Sequence, residues 1–241
     1  MTSIGILGAR GRMGRAIAAA AEAAGAGIAG GIDRDGAPAD LAAASDVLVD
    51  FTAPDALAGH LAAAVDAGTP IVIGTTGLTP GHHQAIDHAA TAIPILQTAN
   101  TSLGVTMLRA LVEQAARKLG RDWDIEIVEM HHRHKVDAPS GTALLLGAAA
   151  NEGRGAASDT ALNRFGHSGA REEGAIHYAS LRGGSVAGDH LVVFAGEGER
   201  IELGHRAESR AIFAKGALEA AIWLHSQRPG RYTMQDVLGI G

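Results

Sequence analysis

The chain has 241 residues, with 20 Lys and Arg against 26 Asp and Glu and a formal charge of -6. It contains no Cys, which excludes disulfides, Cys-ligated zinc and a thiol nucleophile. The acidic surplus argues against a general nucleic-acid binder, and a charged fraction of only 19% argues against intrinsic disorder.

No segment has the shape of an export signal, because Met1 to Leu7 lacks a basic start and runs straight into a glycine-rich turn. The Ala-rich stretch 16–29 is interrupted by Glu22 and several glycines, and a bilayer span needs roughly 20 apolar residues. The expectation is a soluble cytoplasmic protein with no membrane and no nucleic-acid partner.

The first third alternates short apolar runs with helical stretches. Strands are expected at Ile4–Leu7, Ile28–Ile32, Asp46–Phe51, Pro70–Ile73 and Pro94–Gln97, and helices at Arg12–Ala24, Pro54–Ala67 and Thr79–Ala92. The run DVLVDF is apolar almost throughout, which suits a strand covered on both faces. This alternation implies a Rossmann-like, doubly wound parallel sheet.

The pattern changes near Leu103. A helix over Leu103–Leu119 precedes DIEIVEM at Asp124–Met130, whose alternation predicts a half-exposed antiparallel strand. Further strands are expected at Ala175–Val186, His190–Gly196 and Arg200–Ala207, a loop or short helix at Asn151–Arg171, and a final helix at Ala211–His225. The fold class is therefore α/β: a dinucleotide-binding domain over 1–102, completed by 211–241, and an α+β domain with an open mixed sheet over 103–210, for substrate binding and oligomerisation.

Gly8-Ala9-Arg10-Gly11-Arg12-Met13-Gly14 lies between the first strand and the first helix. Glycines there allow a tight turn and bring backbone N–H groups to a pyrophosphate, and the helix N-terminus favours the anion. The spacing is GxxGxxG, so the position after a strand and before a helix carries the argument more than the triplet does. Asp33 follows 19 residues after Gly14, where an acid accepts bonds from the ribose hydroxyls of NAD. Arg34 is next, and its guanidinium suits the 2′-phosphate of NADP, so the preference stays open. Gly74, Thr75, Thr76 and Gly77 follow the fourth strand at its carboxyl end, where they could line the nicotinamide or simply make a turn.

The densest chemistry lies in Glu129–Ala143, where three His, one Arg and one Lys fall within five residues. Such a cluster repels itself unless an anion binds, and Pro139, Ser140, Gly141 and Thr142 form a helix start whose N–H groups hold a carboxylate. A metal at His131, His132 and His134 is the rival reading. Neither the spacing nor the neighbouring Lys135 favours it, so no metal is expected. His82, His83 and His88 read as surface residues on a polar helix.

These residues, with GARGRMG, DFT at Asp50–Thr52, VIGTTG at Val72–Gly77 and AN-x-S at Ala99–Ser102 in the same order, resemble the dihydrodipicolinate reductase (4-hydroxy-tetrahydrodipicolinate reductase) family of lysine biosynthesis. The resemblance covers nearly the whole chain. It implies reduction of a cyclic dicarboxylate by NADH or NADPH. It implies that Gly8, Arg10, Gly11, Arg12, Met13, Gly14, Asp33 and Arg34 hold the dinucleotide, and that Gly74, Thr75, Thr76, Ala99, Asn100, Thr101 and Ser102 line the nicotinamide. His131 matches the family's general acid and Lys135 its proton donor. His132, Ser140, Gly141 and Thr142 match binders of substrate carboxylate. A homotetramer joined through the second-domain sheets is also implied, as is a C-terminal helix that returns to the nucleotide domain.

Two departures stand out: a short segment between Asp33 and Asp46, and Thr101 where relatives often carry Phe. A dinucleotide sensor with a dead site, and a different amino-acid dehydrogenase on the same fold, are the competing readings.

Overall fold

A computed structural model describes residues 1–157, 160–162 and 166–240. In chain order the elements are β1 (Thr2–Leu7), α1 (Arg12–Ala20), β2 (Ala26–Ile32), α2 (Pro38–Ala43), β3 (Val47–Asp50), α3 (Leu57–Ala67), β4 (Ile71–Ile73), α4 (Pro80–Ala89) and β5 (Pro94–Gln97). Then come α5 (Leu103–Leu119), β6 (Asp124–His131), α6 (Gly141–Arg154), β7 (Thr160–Leu162), β8 (Ile176–Arg182), β9 (Gly188–Gly196) and β10 (Glu199–Ala207). The chain closes with α7 (Ala211–Leu224), β11 (Gly230–Tyr232) and α8 (Met234–Leu238). It forms two compact units, Met1–Leu103 with Ala211–Gly241, and Gly104–Arg210.

The first unit is a six-stranded sheet in the order β11-β5-β4-β3-β1-β2, parallel throughout. Successive strand residues point to opposite faces, and here both faces are apolar. Ile4, Ile6, Val47, Val49, Val72 and Leu96 pack with Ile17 of α1 and Leu218 and Leu224 of α7. Leu7, Leu48, Ile71, Ile73 and Ile95 pack on the other face with Leu41 of α2, Leu57 and Leu61 of α3, and Ile86 of α4. All four residues of β3 are buried for this reason. Each such side chain, fully buried, contributes about 1.5–3 kcal/mol.

Some elements depart from expectation. The first helix stops at Ala20, and a 3-10 turn over Glu22–Ala24 ends at Gly25, whose φ is 72°. A six-residue helix, α2, fills part of the short segment before Asp46, with Pro38 in its first turn. β11 adds a sixth strand beside β5, and α8 follows it.

The second unit is a five-stranded sheet in the order β10-β9-β6-β8-β7. β6 is antiparallel to β9 and parallel to β8, so the expectation of an antiparallel strand holds on one edge only. The parallel edge follows from the long crossover through α6, since parallel neighbours need a connection of a dozen or more residues. Ile125, Ile127, Ile176, Tyr178, Val192 and Phe194 meet Leu108 and Val112 of α5 and Leu146 and Ala149 of α6. A Cβ on Gly147 would lie 1.7 Å from the Tyr178 hydroxyl, so glycine is what lets α6 approach β8 this closely. Within the stretch 151–171, α6 runs through Arg154 and β7 occupies 160–162, while 158, 159 and 163–165 lie outside the described residues. Among the described residues no helix is long and apolar enough to cross a membrane.

Candidate active site

The glycine turn after β1 is built by backbone. Gly8 has φ 88°, a left-handed conformation that favours glycine. Its N–H and that of Ala9 both donate to the Ile32 carbonyl, at 2.8 and 3.1 Å. A Cβ on Gly14 would meet the Gly8 carbonyl oxygen at 2.3 Å. Gly14 therefore lets α1 begin directly against the turn. Gly11 is the N-cap of α1 and supplies no side-chain cap, and no acid lies in the first turn. The positive end of α1 is thus left to an outside anion, which fits the pyrophosphate of a dinucleotide. Arg12 is exposed beside it and Met13 is half-buried.

Asp33, at the end of β2, is already engaged. Its carboxylate accepts from the backbone N–H of Arg10 at 3.2 Å and from Arg10 Nε at 2.9 Å. The arginine paired with Asp33 is therefore Arg10, across the turn, and the adjacent Arg34 is exposed. Asp33 and Arg10 thus form a pair of opposite charges at the end of β2.

A second network lies under the strand ends. Asp50 is fully buried and accepts from the Thr52 N–H at 3.0 Å, Thr52 Oγ1 at 2.6 Å and Thr75 Oγ1 at 3.1 Å. Its other oxygen lies 2.7 Å from Nδ1 of buried His60 on α3. The Thr75 side chain thus turns inward to Asp50, while Thr76 is exposed. Gly74 is required by packing, because a Cβ there would sit 2.1 Å from the Phe51 ring.

In the segment 99–102, Ala99 is exposed and Asn100 Oδ1 accepts from the Ser102 N–H at 2.9 Å. Thr101 is buried, and its hydroxyl donates to the Phe213 carbonyl of α7 at 2.7 Å. The Thr101 side chain therefore anchors α7, which explains how a hydroxyl residue is accommodated there.

In the second unit the charged segment leaves the end of β6. His131 is its last strand residue, and its Nδ1 lies 2.5 Å from Glu129 Oε2. Glu129 is buried, and its oxygens also accept from Arg182 at 2.8 and 2.9 Å. Burial pushes the Glu129 pKa up, but hydrogen bonds from Arg182, Ser180 and His131 outweigh it and hold the carboxyl below its ordinary value. His132 Nε2 lies 2.9 Å from Arg210. Loss of water, then the positive charges of Arg210, His134, His131 and Lys135, lower its pKa. Lys135 Nζ donates to Asp137 at 2.8 Å, and this bond lowers the Asp137 pKa.

Ser140 caps α6, accepting from the Ala143 N–H at 3.2 Å. Its hydroxyl also meets His190 Nε2 at 3.0 Å. Gly141 and Thr142 form the first turn, at the positive end of the helix dipole. His190 is buried, its ring centroid is 5.2 Å from that of His131, and burial lowers its pKa to about 4. Among the described residues no group of three or more His, Asp or Glu is placed to hold a metal ion.

Sequence reasoning missed Asp50, His60, Arg182, His190 and Arg210. Of these, only Asp50 had a signal, inside the DFT run. The others are lone residues on separate elements, brought in by register across the sheet or by tertiary packing.

A parallel sheet whose first strand ends in a glycine-built turn at a helix start, in one chain with a His- and Lys-rich loop, fits one class: a nicotinamide-dependent oxidoreductase. The family is narrower. The model of the dihydrodipicolinate reductase N-terminus matches residues 2–101, and that of its C-terminus matches 104–238. The chain belongs to the dihydrodipicolinate reductase family.

A 4-hydroxy-tetrahydrodipicolinate reductase of Zymomonas mobilis subsp. mobilis is 62% identical, over 98% of this chain and 97% of that protein. One from Acidiphilium cryptum is 49% identical with the same coverage of each chain, 98% and 97%. Among solved structures, dipicolinate-bound dihydrodipicolinate reductase from Paenisporosarcina sp. TG-14 has a TM-score of 0.81 at 22% identity, covering 98% of both chains. At that identity it shows a shared fold.

Proposed function

We propose that the chain reduces 4-hydroxy-tetrahydrodipicolinate to tetrahydrodipicolinate with NADH or NADPH, in lysine (diaminopimelate) biosynthesis. The observation that carries this reading is the cluster of His131, His132 and Lys135 beside a Ser140-capped helix start, in a chain of this family. A cluster of that sign with an adjacent positive helix end selects a dianion.

Gly8, Gly11, Met13, Gly14 and Arg12 would hold the pyrophosphate, with Arg10, Asp33 and Arg34 at the ribose. Gly74, Thr75, Thr76, Ala99, Asn100, Thr101 and Ser102 would shape the nicotinamide region, the threonines 75 and 101 through the backbone they anchor. Bound reduced nicotinamide supplies a hydride. His132, Ser140, Gly141 and Thr142 hold the substrate carboxylates. Loss of the 4-hydroxyl as water leaves a conjugated C=C–C=N system, and addition of hydride to it leaves negative charge that takes up a proton. His131 donates it, since an imidazole titrates near neutrality. Lys135 stabilises the same charge or donates in turn, and a substrate carboxylate competes with Asp137 for its ammonium.

The reading includes a cytoplasmic homotetramer. In support, the sheet face of the second unit opposite its helices carries Val128 and Met130 with Leu181, which is 51% exposed. The deciding experiment is steady-state oxidation of NADH and NADPH with the substrate generated in situ by a coupled synthase. Turnover supports the reading, and the ratio of kcat/KM values reports which charge dominates the ribose end. Dinucleotide binding without turnover would replace it with a sensor.

A further inference from the structure

We propose that Glu129 is the positioning residue of His131, a buried carboxylate that fixes the imidazole with Nδ1 as donor to the protein and Nε2 as donor to substrate. This rests on the reading of His131 as the general acid.

Strand geometry makes the pair. Residues two apart on β6 share a face, so Glu129 and His131 both point to the side that packs on the helices. A carboxylate only accepts, so the 2.5 Å contact needs a proton on Nδ1. The neutral ring is thereby held in one tautomer, and a second proton can only go on Nε2. A Cβ on Gly188 would come within 3.0 Å of Nε2, so the glycine keeps that nitrogen uncrowded.

Arg182, directly across from His131 on β8, grips both oxygens of Glu129 and also donates to the Asp137 carbonyl at 2.6 Å. One guanidinium therefore fixes the carboxylate and tethers the loop that carries Lys135. With His131 protonated, Glu129 faces two cations; after transfer it faces one, which still neutralises it. The proton leaves Nε2 for the reduced substrate, and the Nδ1–H bond to Glu129 persists throughout.

The other titratable groups facing this pair are His190 on β9, opposite Glu129 in register, and His132 and Lys135 on the loop, with Asp137 bonded to Lys135. Arg210 and His134 face His132, and His205 faces His190. His190 titrates at about 4 and stays neutral across the working range.

The test measures kcat against pH for the wild type, Glu129→Gln, Glu129→Asp and His131→Gln, with NMR titration of the His131 ring nitrogens. Removing the carboxylate charge destabilises the imidazolium. Glu129→Gln is expected to move the basic limb of kcat and the His131 titration to lower pH, each by about 1 unit or more. On the basic side this is a tenfold loss of kcat, with KM for the dinucleotide unchanged. Glu129→Asp keeps the charge and is expected to restore part of the shift. An unmoved limb with an unmoved His131 titration overturns the proposal.

If Glu129→Gln does not fold, the wild-type spectrum decides. Neutral His131 protonated at Nδ1 supports the proposal, and protonated at Nε2 overturns it. A wild-type kcat in His131→Gln overturns the reading of His131 as the acid instead, and leaves the titration to judge Glu129.

Discussion

The two units build their sites from opposite materials. The glycine turn of the first is backbone: φ 88° at Gly8, no side-chain cap on α1, and a helix start left to an anion. The loop of the second is side chain: His131, His132 and Lys135, each held by a partner of its own in Glu129, Arg210 and Asp137. A backbone site is broken by adding an atom, and a side-chain site by removing a charge or changing pH.

The largest effect is expected where the first unit does depend on a charge. Asp50→Ala leaves His60, Thr52 and Thr75 without their shared acceptor, and each buried polar group left unsatisfied costs about 1–3 kcal/mol. Urea unfolding measures it, and a loss below 1 kcal/mol would demote the network.

Acid should act mainly on the second unit. The folded pKa of His190 is about 4 against 6.5 in the unfolded chain, so the unfolded state binds more protons between those values. Stability from neutral His190 is complete above pH 6.5 and falls away as pH drops towards 4, by about 3 kcal/mol in all. His190→Gln should flatten that slope in urea melts taken across the range. An equal slope in both proteins would show the dependence to lie elsewhere.

Lys135→Ala should lower kcat by about 100-fold or more, the lower range for a general acid. A near-normal kcat in the coupled assay would remove Lys135 from the chemical step. Gly14→Ala should cost about 1–3 kcal/mol through the clash with Gly8 and weaken dinucleotide binding, while binding of a pyridine dicarboxylate persists. Calorimetric titration with each ligand separates the two. The smallest effect is Thr101→Val, which loses one hydrogen bond to Phe213 and about 1 kcal/mol, with dinucleotide affinity unchanged. A large affinity loss would show that the Thr101 hydroxyl itself, and not only the backbone it anchors, serves the nicotinamide.

The parallel sheet was legible because its strands are short apolar runs punctuated by Gly and Pro, and each alternation of helix and strand is local. β11 was not: three residues, Gly-Arg-Tyr, have no periodicity, and they form a strand only because the edge of β5 is there to pair with. The second sheet was legible as mixed, but the parallel edge of β6 was not, since alternation in DIEIVEM is identical whether a neighbour runs parallel or antiparallel. In the site, the residues that sit together in sequence could be read together. Arg182 and His190 could not, because register alone carries them to Glu129. Side-chain direction was equally hidden: Thr75 and Thr101 lie in glycine-rich and polar runs that suggest exposure, yet each hydroxyl bonds inward.

Leu218 and Leu224 of α7 complete one face of the parallel sheet, and β11 completes its edge, but both come after residue 210. During synthesis the ribosome releases the whole second unit before it supplies these pieces. The inserted unit is therefore free to fold while the first waits, with Val47, Val49 and Val72 uncovered, for its own last 31 residues. The nucleotide-binding unit matures last, although β1 emerges before any part of the second unit.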